Sequence, residues 1–424
     1  MFFSVNRGSL KTQEKMVGQR EARISMGVYL NNATAYSLYR KETKKPYFVD
    51  KTQILEQLFP LVKEENNYIC ITRPRRFGKT VMANMISAFF SRAGDVMDSI
   101  ATSDSSAAGK AREMFDHLYI AKNQNYLTFL NQYDVIHISF NEMPRKYGTY
   151  EEYIERIEKR LTNDLAGKYP ELEIREGEAL WDILTDIWEK DAAAKYIFVL
   201  DEWDFIFHRD FVSDREKEAY ISFLSNLLKD KPYVVMVYMT GILPIAKYSS
   251  GSELNMFTEF TMANSPAFSD CFGFREDEVA KLYERYLKNC ENPSVTKQGL
   301  KEWYNGYYTA GGQRVYNPRS VVEALRYNHL ASYWTSAGPY DEIYYYIEKN
   351  VAAVRDDLAL MAAGESVAAR IQEYAATSMN LQTKDEIFSA MVVYGFLSCE
   401  KNRVSIPNRE IMDRFTDIFY RKQL

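Results

Sequence analysis

Two short stretches carry residue types able to handle a phosphorylated ligand. The first is "ITRPRRFGKT", Ile71 to Thr80. A phosphate-cradling loop of the Walker A type needs Gly, four free residues, then Gly-Lys-Ser/Thr. Gly78, Lys79 and Thr80 supply that ending, but Arg73 stands where the first Gly belongs. In such a loop Gly78 permits the tight bend, the Lys79 ammonium reaches the β and γ phosphates, and the Thr80 hydroxyl serves magnesium. The amides opening the next helix, around Val81, face the anion, and the helix dipole adds positive potential. Arg73, Arg75 and Arg76, with no acid between Ile71 and Thr80, make the entrance cationic, and Pro74 stiffens it. By itself this loop reads equally well as a solvated basic turn or a patch for nucleic-acid backbone.

The second stretch is "KYIFVLDEWDFIF". Tyr196 to Leu200 form a continuous apolar run, as expected of a strand buried on both faces of a parallel sheet. Asp201 and Glu202 follow at once, at the sheet edge where α/β proteins bind ligands. That is a Walker B arrangement: Asp201 holds magnesium and Glu202 orients and deprotonates an attacking water.

These residues need a scaffold, and the surrounding pattern supplies one. "NNYICIT" reads as a strand before the basic loop, and Val81, Met82, Met85, Ile86 and Phe89 recur at helical spacing after it. "YFVDKTQILEQLFPLV" predicts a helix capped by Asp50. "DVIHISF" predicts another strand, followed by helices over 150–168 and 179–190. A helix around 217–228 precedes the strand "YVVMVYMTG". Thr240 ends that strand, where additional-strand P-loop ATPases place a polar sensor near the γ-phosphate; otherwise it merely terminates the strand. A last short strand near "MFTEFT" and a helix from Glu276 come next, then a Gly-punctuated hairpin and a helix with Asn317 as cap and Pro318 at its first position. After Ser332 the pattern is mostly helical, and Tyr344 to Tyr346 suggest packing against a core. "FLSCEKNRVSIPN" predicts a hairpin with Lys401 to Arg403 in its turn.

Composition excludes several classes. The 424 residues are 46% hydrophobic and 26% charged, as in globular proteins of more than one domain. A net charge of −5 argues against a surface coated for nucleic acid. Four cysteines and four histidines lie scattered, so neither a zinc site nor a disulfide framework is expected, and a reducing cytoplasm fits. No apolar run reaches the roughly 20 residues of a membrane helix. Residues 1–25 lack the apolar segment of a secretory signal and read as an unstructured extension.

The chain resembles the bacterial AAA-ATPase-like proteins that are commonly joined to a C-terminal PD-(D/E)XK nuclease-like domain. The resemblance rests on "YFVDKTQIL", "ITRPRRFGKT", "VLDEWD", "YMTGILPIAKY", "FGFREDEV", "WYNGYY" and "VYNPRSV", in that order. Arg-Pro-Arg-Arg-Phe-Gly-Lys-Ser/Thr is the usual loop of that family. The resemblance implies a P-loop NTPase fold of class α/β: a parallel sheet flanked by helices over residues 26–270. A mainly helical lid and a winged-helix-like region over 271–424 are implied to follow. It also implies ATP and Mg2+ as ligands. Contacts are expected from Arg73, Pro74, Arg75, Arg76, Phe77, Gly78, Lys79, Thr80, Val81 and Thr240, metal ligation from Thr80 and Asp201, and catalysis from Lys79 and Glu202. Arg319 is the candidate basic residue of the lid; the reading favoured over it is an exposed arginine in a first helical turn. The expected function is a Mg-dependent ATPase switch acting on a protein or nucleic-acid partner, a separate nuclease-like chain included. The alternative is an adaptor that binds nucleotide without hydrolysing it. No nuclease activity is expected of the sequence itself.

Overall fold

The computed structural model describes residues 27–92, 110–143, 148–175, 177–209, 211–245, 253–334, 354–371, 381 and 383–422. The expectations for residues 1–25 and for Tyr344 to Tyr346 lie outside them.

A five-stranded sheet forms the centre, from β1 (Asn67–Thr72), β2 (Asp134–Ser139), β3 (Tyr196–Asp201), β4 (Val234–Gly241) and β5 (Thr258–Phe260). The spatial order is β2-β3-β4-β1-β5, and every pairing is parallel. Strand β4 therefore lies between the strand that feeds the basic loop and the strand that ends in Asp201. The apolar run of β3 works on both faces, as a doubly covered parallel strand must. Tyr196, Phe198 and Leu200 enter one core and Ile197 and Val199 the other.

Helices α1 (Ala33–Thr43), α2 (Ile54–Glu64) and α3 (Lys79–Phe90) pack against one face; α4 (Tyr150–Lys168), α5 (Leu180–Lys190) and α6 (Asp214–Leu228) cover the other. The boundary of α6 is set by a capping box: the Ser213 side chain accepts from the Glu216 amide while Glu216 reaches back to Ser213. Helix α2 differs from expectation. It starts at Ile54 without a side-chain cap, because the Asp50 carboxylate accepts instead from the Thr52 amide at 2.9 Å, the Thr52 hydroxyl at 2.7 Å and the distant Tyr119 amide at 2.6 Å.

Beyond the sheet, α7 (Glu276–Asn289), α8 (Lys297–Tyr304), the hairpin β6–β7 (Tyr307–Tyr308, Arg314–Val315) and α9 (Pro318–Tyr327) come together, and the helices share a third core. Asn317 caps α9 and Pro318 opens it, as expected. The last elements are β8 (Val367–Ala368), α10 (Lys384–Tyr394), the hairpin β9–β10 (Ser398–Glu400, Arg403–Ser405) and α11 (Arg409–Lys422). Lys401 and Asn402 turn that hairpin with φ of 49° and 61°, the pair of positive values a two-residue turn requires.

Candidate nucleotide site

Parallel register brings the two motifs to one edge. Ile71 of β1 and Asp201 of β3 both pair with Thr240 of β4, so the loop after β1 and the acids after β3 flank a common strand end. Gly78 adopts φ 89° and α3 begins at the next residue, as a loop that turns its amides inward requires. The Lys79 side chain is buried, and its ammonium donates to the carbonyls of Arg73 at 2.9 Å and Pro74 at 3.0 Å. Burial lowers its pKa to about 8, against the pull of Asp204, Asp201 and Glu202.

Asp201 is 0% exposed, and neither carboxylate oxygen has a well-formed hydrogen bond among the described residues. Burial pushes its carboxyl up to about 7; the nearby Thr80 hydroxyl and the Lys79 charge work in the opposite direction. A desolvated carboxylate without a partner is costly. A hard divalent cation between Asp201 and the Thr80 hydroxyl matches this all-oxygen donor set. Glu202 sits next to it with φ 53°, a left-handed conformation that costs a non-glycine residue of order 1 kcal/mol or more. That bend turns the Glu202 side chain into the cavity while Asp201 stays under the sheet edge.

The cavity measures about 620 Å³, within the range of small-ligand sites. Arg75 to Met82 line it together with Glu202, Asp204 and His208, and with Arg319 and Val322 of α9. Residues 37–250 match the family described as predicted AAA-ATPase. The chain belongs to this AAA-ATPase-like family.

A relative from Azotobacter chroococcum mcd 1, an uncharacterized protein in the vnfD 5′ region, is 23% identical over 308 residues. The match covers 69% of this AAA-ATPase-like chain and 51% of the relative, so the chain spans about half the relative's length. Among solved structures, the Walker-type ATPase of Pyrococcus abyssi is similar with a TM-score of 0.42 at 12% identity, covering 86% of this chain and 94% of that one. The ORC2 protein of Aeropyrum pernix, in ADPNP–ADP complexes, has a TM-score of 0.38 at 12% identity, covering 87% and 94%. The fold assignment rests on the sheet itself.

Not every loop residue of the AAA-ATPase-like protein faces the cavity. Arg75, Arg76, Phe77, Gly78, Lys79, Thr80 and Val81 line it, and so does Arg319. Arg73 turns the other way. Its guanidinium donates to the carbonyls of Thr72 at 2.7 Å, Phe260 at 2.8 Å and Phe268 at 3.2 Å, and lies 4.8 Å from the centre of the Phe272 ring. It fastens the loop entrance to the edge strand β5. The Thr240 hydroxyl donates to the Ile71 carbonyl at 3.0 Å and is 0% exposed, which joins two strand ends rather than facing the cavity.

Sequence reasoning passed over Asp204. This buried acid accepts from the amides of Ile242 and Leu243, both at 2.9 Å, and His208 lies 3.8 Å away. Burial disfavours its charge, but His208 and those two amides prevail and hold its pKa below the usual value. It also exerts the largest pull of any charge on Lys79. The signal was its place in "LDEWD", three residues past Asp201 on the turn that leaves the strand.

Proposed function

We propose that this protein is a Mg-dependent ATPase switch. Lys79 and the amides around Gly78 hold the phosphates of ATP, with Arg75 and Arg76 adding positive charge at the entrance. Thr80 and Asp201 hold Mg2+, which supplies neutralisation of the charge that builds on the phosphates. Glu202 orients water and accepts its proton, a role that suits a carboxylate held in the cavity by a strained backbone. Arg319, on α9 and lining the cavity, is the candidate that senses whether nucleotide is present.

One observation carries the proposal: the buried carboxylate of Asp201, with no well-formed hydrogen bond among the described residues, at the strand end beside Gly78-Lys79-Thr80. No disulfide joins the four cysteines among the described residues, which suits a reducing compartment, and the cytoplasm is the proposed location. No described helix is long and apolar enough to cross a membrane. The partner proposed for the switch is a protein or a nucleic acid.

Phosphate release tests the reaction. With Mg-ATP, Glu202→Gln is expected to retain nucleotide binding and lose about 100-fold or more of the rate, the scale of a general base. Equal background rates in both proteins, with binding intact, would overturn hydrolysis and leave a nucleotide-binding adaptor.

A further inference from the structure

The loop lacks the first glycine of its pattern, yet it bends sharply. Arg76 takes φ 69°, a left-handed value that costs a side chain with a Cβ of order 1 kcal/mol or more. Something outside the loop must hold it there. Each residue from Pro74 to Phe77 meets the C-terminal part of the chain. Pro74 packs so closely on Gly395, at the end of α10, that a Cβ at 395 would stand 2.7 Å from the Pro74 Cβ. The Trp334 indole donates to the Arg75 carbonyl at 3.3 Å. The Arg76 guanidinium donates to the Tyr333 carbonyl at 2.8 Å. The Phe77 ring meets the Tyr307 ring edge-on at 5.0 Å.

Two of these contacts come from one short segment, Tyr333–Trp334, and one buried side chain accepts from both of its amides. Glu410 of α11 is 0% exposed. Its Oε1 accepts from the amides of Tyr333 and Trp334, both at 2.6 Å, and from the Ser320 hydroxyl of α9 at 3.0 Å. Its second oxygen has no hydrogen bond among the described residues. Burying a carboxylate is costly, and a network this well connected places its members narrowly. Burial drives the Glu410 pKa up to about 7, against those donors and the Arg76 charge.

The geometry points to Glu410 as a positioning residue for nucleotide binding: through Tyr333 and Trp334 it holds the Arg75–Arg76 bend of the phosphate loop in shape. The C-terminal region thereby supports a left-handed bend at Arg76 that the loop alone would hold under strain. The same carboxylate ties down Ser320 beside Arg319, so loop and lid share one anchor. This rests on the nucleotide reading above for its binding readout, but its loop readout does not.

Two measurements on the full chain test it: amide hydrogen exchange across residues 73–80 without nucleotide, and Mg-ATP affinity. Glu410→Ala is expected to speed exchange in the loop, leave that of β3 unchanged, and weaken ATP about tenfold, the scale of one strained residue released. Glu410→Gln keeps an acceptor for the two amides and should stay within about threefold of wild type. The decisive comparison is a double-mutant cycle with Arg76→Gly, since glycine adopts positive φ without support. In that background, removing Glu410 should change loop exchange and affinity far less than in wild type. A merely structural role predicts additive losses, which would overturn the proposal. Should Glu410→Ala fail to fold, Trp334→Phe deletes the donor to Arg75 and keeps the ring. Faster loop exchange then supports the proposal and unchanged exchange overturns it. If wild type binds no ATP, the nucleotide reading falls while loop exchange still decides the role of Glu410.

Discussion

At the scale of single residues, charge type alone does not reveal employment. The meeting of Lys79, Asp201 and Glu202 at one sheet edge was legible because its signals are local: a lysine before a helix, two acids after an apolar strand. Arg73 was not, since its fate depends on carbonyls at Phe260 and Phe268, far along the chain. Its replacement by Ala should cost about 3 kcal/mol of stability in urea denaturation, because three acceptors lose a charged donor. Arg75→Glu and Arg76→Glu should instead weaken Mg-ATP, which titration would show. The Thr240 hydroxyl was equally hard to read, because register decides which carbonyl it meets.

His137 makes a pH prediction at this scale. It is fully buried on β2 with Nδ1 3.0 Å from the Ser87 hydroxyl, and burial lowers its pKa to about 4. The unfolded chain therefore takes up a proton between pH 6.5 and 4 that the folded chain refuses. Stability should fall as pH drops through that window, by at most about 3 kcal/mol from this group. His137→Asn should flatten the acid limb of a stability–pH curve; an unchanged limb would show that other groups cause it.

At the scale of elements, periodicity and end signals carried most of the fold. The helix over 150–168 and the Pro318 start of α9 appear where the sequence put them. Strand order was not legible, because nothing local in "YVVMVYMTG" says that it lies between the other two central strands. The start of α2 was misread because a remote amide, Tyr119, competes for the Asp50 carboxylate. Capping energetics give a clean test. Ser213→Ala removes one half of the α6 capping box and should cost about 1 kcal/mol without altering ATP affinity. An affinity change would mean that α6 transmits strain into the site through the turn after β3.

At the scale of the molecule, the sheet edge carries the motifs proposed for phosphate and metal, while later segments contact the loop that follows β1. That division explains why the site was only partly readable. The motifs name the sheet's contribution, whereas the supports at Tyr307, Tyr333, Trp334, Gly395 and Glu410 come from segments with no nucleotide-binding signature. Ligand linkage should be visible in the whole fold: Mg-ATP at 100 times Kd stabilises a protein by about 2.7 kcal/mol. Thermal unfolding of wild type should shift upward accordingly, and Lys79→Ala should lose the shift.

The central claim is that Asp201 and Lys79 grip one metal–triphosphate unit. Calorimetric titration of ATP into wild type and Asp201→Asn, each with magnesium and with chelator, tests it most directly. Wild type should bind at least tenfold more tightly with magnesium, a difference of about 1.4 kcal/mol, and Asp201→Asn should lose that dependence. The same magnesium dependence in both proteins would contradict the account.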